Sequence, residues 1–239
     1  MFVMTIDQRG STGDVDRVPH LLSELAALDL PRPEQSSFEQ SSFEQSSFEP
    51  PRFERSVGDE VQGVVQDAAA VVAIALHALR HGRWYVGIGV GTVSLPASAS
   101  PREGTGTAFV AARKAVELAK AAGSQVPLSV VAGTIAGGAG GAAAEEVGQA
   151  CANAEAVLRL LGRLIQERTD AQWRVVDALR RQGPGRHGSQ KQVALELGIT
   201  EQSVSRTVLR SGWQEEWAAR PAAAMLLEHA DSLIPGAGA

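Results

Sequence analysis

The chain has 239 residues, enough for one large domain or two small ones that each bury a core. Hydrophobic residues make up 44% and charged ones 21%, a globular mix, and a formal net charge of −5 excludes blanket electrostatic attraction to nucleic acid while leaving room for a local basic face. A single cysteine, Cys151, excludes an internal disulfide framework and a four-cysteine zinc site, and its setting "GQACANAEAV" predicts a small core residue.

The opening "MFVMTIDQRG" has no basic region followed by a long apolar stretch, so no signal peptide is expected. The most membrane-like stretch, "LSVVAGTIAGGAGGAAA", is too short and too rich in glycine for a span and reads as a strand and hinge. The expectation is a cytoplasmic protein with no membrane partner.

In chain order, "FVMTI" (2–6) is a short apolar strand. "DVDRVPHLLSELAALDL" then places Val18, Leu21, Leu22, Leu25 and Leu28 at helical spacing. A tandem five-residue repeat follows, "SSFEQSSFEQSSFEPPRFE", polar and ended by prolines, which predicts a disordered loop over 34–51. "RFERSV" and "VQGVV" read as two strands joined through Gly58-Asp59-Glu60. "QDAAAVVAIALHALRHG" is a helix stopped by Gly82, "RWYVGIGVGTV" a strand, "GTAFVAARKAVELAKAAG" a helix stopped by Gly123, and "VPLSVVAG" a strand. Mixed strands and helices in this order predict an α+β fold with a ferredoxin-like layer.

The glycine and alanine run near 137–144 is the clearest break, and everything beyond it reads as helical. The expected divisions are a first domain over 1–135, a linker over 136–146 and a connecting or dimerisation helix over 147–167. A helix-turn-helix domain over 168–215 and a C-terminal helix and tail over 216–239 complete the chain. Val147, Cys151, Ala154, Leu158, Leu161 and Ile165 form an apolar stripe that could pack on the first domain or on a second copy.

The stretch "SQKQVALELGITEQSVSRTVLRSGW" (189–213) has helix-turn-helix mechanics. Ala194 is small where two helices cross, Gly198 supplies the turn, and Thr200 caps the second helix. Val193, Leu197, Ile199 and Val204 are the expected small core. "DAQWRVVDALRRQG" supplies a supporting helix with Trp173, Val176 and Leu179 inward, and residues 180–191 are locally basic. Glu201, Gln202, Ser203, Ser205, Arg206 and Arg210 face outward on the second helix, and with Ser189, Gln190 and Thr200 they are the candidate contacts to double-stranded DNA.

At the other end of the chain, the first strand leads into Asp7 and the hairpin tip carries Asp59. If those strands are neighbours, the two carboxylates meet at one sheet edge and suit a hard divalent cation. "QRGST" offers successive backbone N–H groups and hydroxyls, so Arg9, Gly10, Ser11 and Thr12 form a candidate phosphate cradle. Plain turn chemistry is the alternative for Asp59 and Glu60, and Gly58, Gly87, Gly89 and Gly91 also fit simple turn and strand roles.

The pieces "IDQRGS", "VGDEVQG", "VGIGVGTV" and "EGTGTAFVAARKAVE", in that order over roughly residues 1–131, resemble the SatD family. That family is similar in turn to a reduced class III nucleotidyl cyclase or GGDEF-type palm and usually carries a C-terminal helix-turn-helix. The resemblance implies a palm fold, with Asp7 and Asp59 holding Mg or Mn around a nucleotide. It places Arg55 where cyclases have a base-recognising residue and Arg113 where they have a transition-state arginine. In a cyclase the position four residues before that arginine is asparagine; here it is Phe109, which removes a polar group expected to organise the ribose or attacking hydroxyl. The leading reading is a DNA-binding transcriptional regulator whose degenerate palm binds a nucleotide with a divalent metal. Pairing two DNA half-sites would make it a homodimer. The alternatives are a metal-dependent nucleotidyl enzyme with an accessory DNA-binding module, and a palm kept only as a scaffold.

Overall fold

The computed structural model describes residues 1–11, 13–31, 51–95, 100–123, 125–133, 141–182 and 189–235. Nearly all of the expected repeat loop and the first half of the expected glycine and alanine hinge fall outside these residues. Within them the fold is α+β: one five-stranded sheet and eight α-helices.

The strands are β1 (Phe2–Gln8), β2 (Phe53–Arg55), β3 (Glu60–Val65), β4 (Trp84–Val90) and β5 (Leu128–Ala132), in the spatial order β2-β3-β1-β4-β5. Neighbours are antiparallel except β4 and β5, which run parallel. β1 is thus the central strand, and all seven of its residues are buried. Its side chains alternate between the two faces. Phe2, Met4 and Ile6 join the large core, opposite Val65, Gly63 and Val61 on β3 and Val90, Ile88 and Val86 on β4. Val3, Thr5 and Asp7 belong to the other face.

The large core lies under α1 (Val18–Ala26), α2 (Ala68–Arg80), α4 (Ala142–Gln166) and α8 (Trp213–Ser232). Asp67 caps α2 by accepting from the Ala70 N–H, and Gly82 ends it at φ +63°. α3 (Thr107–Ala121) covers the other face of β1, β4 and β5, and glycines let it approach. A Cβ at Gly89 would lie 2.1 Å from the Ala108 carbonyl oxygen, and one at Gly87 would lie 2.4 Å from the Val116 nitrogen. Only a bare backbone at those two positions allows a helix so close to the strand.

α4 begins at Ala142, five residues before the expected start of the connecting helix. Its apolar stripe is buried inside the chain, against β5, α2 and α8, which is the first of the two placements the sequence allowed. Cys151 is buried there, and burial pushes its thiol up to about 12, which keeps it an inert apolar side chain. α4 also closes the sheet edge. Glu155 accepts from the Val130 N–H at 2.8 Å and from Ser129 at 2.7 Å, while Arg159 Nε donates to the Leu128 carbonyl at 2.9 Å. An open edge would be a template for pairing with another strand, and these side chains occupy it.

α5 (Asp170–Gln182), α6 (Ser189–Leu197) and α7 (Glu201–Arg210) pack on one another, and α7 also meets α8. Among the described residues no helix is long and apolar enough to cross a membrane.

Candidate functional site

The first candidate surface is the α6–α7 unit. Ala194 is 5% exposed and Val193 and Val204 are fully buried, so the helices cross on a small residue over a closed contact. Gly198 sits at φ +66°, and the following Ile199 N–H reaches back to the Ala194 carbonyl at 3.0 Å, the hydrogen-bonding pattern of a glycine helix stop. Thr200 then caps α7 by accepting from the Ser203 N–H at 3.1 Å. α5 backs the unit with Trp173, Val176 and Leu179 buried, and Arg181 ties it to Glu196 of α6 at 2.5 Å.

One expected core member differs. Ile199 is 40% exposed, because the turn residue follows the left-handed glycine and projects outward, and Val208 of α7 fills the core instead. Gln202, Ser203, Ser205, Arg206, Leu209 and Arg210 are all exposed on α7, while Ser189 and Gln190 are half-buried at the start of α6. Among the described residues neither Arg206 nor Arg210 forms an ion pair. Residues 183–188, half of the expected basic run, lie outside the described residues.

The second candidate is the sheet face beneath α3. The register sets Asp7 opposite Glu60 on one side and Tyr85 on the other, and Thr5 opposite Gln62 and Gly87. Four polar side chains therefore share one face of two neighbouring strands. Thr5 is fully buried and Gln62 is 7% exposed. The Thr5 hydroxyl and Glu60 Oε1 are buried without a hydrogen-bond partner. Two cations reach in from α3: Lys120 Nζ lies 3.0 Å from Asp7 Oδ2, and Arg113 Nη2 lies 3.6 Å from Glu60 Oε1. Burial raises the Asp7 carboxyl above its ordinary value, Lys120 opposes this, and the carboxylates of Asp59 and Glu60 add to it.

The expected pair of carboxylates is therefore part of a larger group. Asp59 is close enough to Asp7 to disfavour its ionisation, and its main-chain carbonyl accepts from the Gln8 N–H at 3.3 Å. The residue directly across from Asp7 is Glu60. Among the described residues no three histidine, cysteine or acidic side chains form a ready-made metal cage.

The other expected residues are less concentrated. Arg9 donates to the Gly82 carbonyl at 3.2 Å and stacks over Tyr85, so its side chain holds the β1 end to the β4 start. Gly10 and Ser11 are exposed beside it, with Gly10 at φ +67°, and Thr12 lies outside the described residues. Arg55 pairs with Asp16 at 2.5 Å and donates to the Gly58 carbonyl at 3.0 Å. Phe109 packs with Val3 and Val64 and makes an apolar end to the polar face.

Thr5, Gln62, Glu60 and Lys120 were not expected as site residues. The alternation of β1 carried part of the signal, since Thr5 and Asp7 follow Val3 as polar residues on one face of the strand. Lys120 carried none, because nothing local ties it to a residue more than a hundred positions away. No family model matches the chain, and no curated protein or solved structure shows a significant match to it.

Proposed function

We propose that this chain is a DNA-binding transcriptional regulator, with α7 entering the major groove. The observation that carries the reading is the pairing of a tightly closed turn with an exposed α7 face. Gly198, the Thr200 cap and Ala194 fix the angle of the helix, and Gln202, Ser205, Arg206 and Arg210 stand outward, with no ion pair on either arginine among the described residues. Side chains of this kind read base edges and hold phosphates, and exposed Leu209 offers an apolar contact for a thymine methyl.

For the sheet half, we propose a palm of ferredoxin-like type that binds a nucleotide with Mg or Mn. The run β4-β1-β3-β2, with each strand antiparallel to the next, supports the fold, and β5 extends it. The Thr5 hydroxyl and the Glu60 oxygen beside Asp7, both buried without a hydrogen bond, support a ligand there. Phe109 packing among valines favours binding without cyclisation. Kinship with the SatD family, cytoplasmic placement and pairing of two chains on a DNA site belong to the same proposal.

The test is fluorescence anisotropy of the full chain on duplex DNA across a salt series. Binding should weaken steeply with salt, and Arg206→Ala should either cost about 1–3 kcal/mol on a preferred sequence or lower the salt slope by about one on all sequences. A folded chain that shows no salt-dependent binding to any duplex pool overturns the reading.

A further inference from the structure

α8 carries apolar residues on two sides, and one of those sides faces away from the core. Trp213, Glu216, Ala223, Leu227 and Ala230 follow helical spacing and are buried. Trp217, Ala218, Pro221, Ala222 and Met225 follow the same spacing on the opposite side, and all five are exposed. Met225 is 60% exposed and Trp217 37%. A helix with one face in a core ordinarily turns polar and charged residues outward. The middle of α8 does not, and polar outward residues return only at Gln214 and Glu215 on one end and Glu228 and His229 on the other. Trp217 is held in place, with its ring centroid 5.1 Å from that of Trp213 and the Arg220 guanidinium 4.9 Å over its ring. The face is therefore set before anything binds to it.

We propose that this face pairs with the same face of a second copy of the chain, antiparallel about a twofold axis at Pro221. The inference deepens the pairing of two chains proposed above and rests on that reading. A twofold interface must complement itself, each residue meeting a second one whose own copy meets the first. The pattern along α8 has this property. Trp217 and Met225 lie four residues either side of Pro221, and Gln214 and Glu228 lie seven either side. Antiparallel pairing sets the Trp217 ring against the Met225 thioether of the second copy, a favourable sulfur–aromatic contact. It also sets the Gln214 amide, a donor, against the Glu228 carboxylate, an acceptor. Ala218 and Ala222 are small, so the two backbones can come close between those contacts.

Parallel pairing would bring Glu215 onto Glu215 and Glu228 onto Glu228, like charges at both ends. The same acidic rim, on a chain of net charge −5, turns away an anionic membrane or nucleic acid as the occupant. α8 follows α7 after the link Ser211-Gly212 and packs against it, so a twofold axis on α8 also sets the separation of the two α7 helices. One helix face is small beside the roughly 800 Å² per partner of a standard interface, so the pair should form at about micromolar concentration.

Sedimentation equilibrium of the full chain without DNA tests the face, and its failure would leave DNA binding by a single chain standing. Wild type should pass from monomer to dimer across about 1–500 µM. Met225→Glu and Ala222→Glu should each raise the dimer dissociation constant more than about tenfold. Both positions are exposed, so the melting temperature should hold. Val110→Glu, at an exposed apolar position of α3, should leave the dimer unchanged. Oxidation reads the register, since Cys151 is buried. Ala222→Cys, beside the axis, should cross-link to its own copy, and Met225→Cys, opposite Trp217, should not. A chain that stays monomeric throughout overturns the face. So does a dimer that survives both glutamate variants, or one that Met225→Cys cross-links.

Discussion

Two buried polar clusters in this molecule differ in what they leave without a hydrogen bond: one donor, Arg180 Nε, at the first, and two oxygens, those of Thr5 and Glu60, at the second. Where α5 meets α8, the Arg168 side chain is 1% exposed and Glu216 is fully buried, 3.0 Å apart. Arg168 also donates to the Ser211 and Gly212 carbonyls, and Arg180 and Arg220 close on the same glutamate. Trp173 lies among Arg80, Arg168 and Arg180, with cation–π contacts to each. Burial and the neighbouring Arg220 charge hold the Arg180 guanidinium down to about 10, still protonated at neutral pH. On the face under α3, by contrast, the Thr5 hydroxyl and Glu60 Oε1 have no hydrogen-bond partner, and Asp7 is held by a single lysine of the helix above. A cluster whose charges answer one another is a joint. One whose acceptors stand open has capacity for a ligand.

The largest expected effect lies in the joint. Glu216→Gln removes the anion that Arg168, Arg180 and Arg220 share and leaves the Arg168 charge buried without its partner. Breaking a buried pair from one side costs about 3–5 kcal/mol, so urea denaturation should show a loss of that size. A loss below about 1 kcal/mol would mean that water reaches the cluster, and the contrast between the two regions would fail.

This joint was poorly legible in the sequence, for a physical reason. Its members come from α2, α5, α8 and the links before α5 and α8, and helical periodicity reports which side of a helix is buried but not which charges meet across helices. Elements were legible wherever one local rule dominated. Gly82, Gly123 and Gly198 all sit at positive φ and end helices where a glycine stop was expected. The glycines of "VGIGVG" left two roles open, and close approach by α3 is the one the structure uses at Gly87 and Gly89. Ile199 was misassigned because an apolar residue in a helix-turn-helix pattern suggests core, whereas the turn geometry directs it outward. Asp7 was found because it ends an apolar strand. Glu60 was seen only as a turn acid, because its role depends on the pairing register, and register is a property of two strands together.

A smaller effect sharpens the comparison from the open side. Thr5→Val removes a buried hydroxyl that bonds to nothing and keeps its shape, so the ligand-free stability should be nearly unchanged or slightly higher. The thermal shift produced by a nucleoside triphosphate with Mg²⁺ or Mn²⁺ should shrink in this variant and in Asp59→Asn and Glu60→Gln. A wild-type chain that shows no shift with any common nucleotide makes the palm a scaffold. A Thr5→Val chain that loses more than about 1 kcal/mol makes the hydroxyl structural.

The smallest effect is a pH dependence whose sign follows from Asp7. Burial lifts its carboxyl above the ordinary 3.8 in the folded chain, and the Asp59 and Glu60 carboxylates lift it further against the pull of Lys120. The folded protein therefore holds this proton more tightly than the unfolded chain does. Stability must fall as pH rises from about the unfolded value through the raised folded one, and this contribution is then level at higher pH. Asp7→Asn removes the proton and with it that part of the slope. The variant should gain on wild type across the acid window and keep the gain at neutral pH, less whatever Lys120 loses as a partner. Lys120 keeps Glu117 at 3.0 Å, so that loss is limited. A divalent cation should act in the opposite sense on wild type: it favours the ionised carboxylate, so saturating Mg²⁺ or Mn²⁺ should flatten the fall in wild type and leave Asp7→Asn unmoved. Equilibrium unfolding at stepped pH, with and without the ion, measures both slopes. Were wild type and Asp7→Asn to run parallel through the acid window, Asp7 would be an ordinary paired residue, and the open face under α3 would be no different in kind from the joint at Glu216.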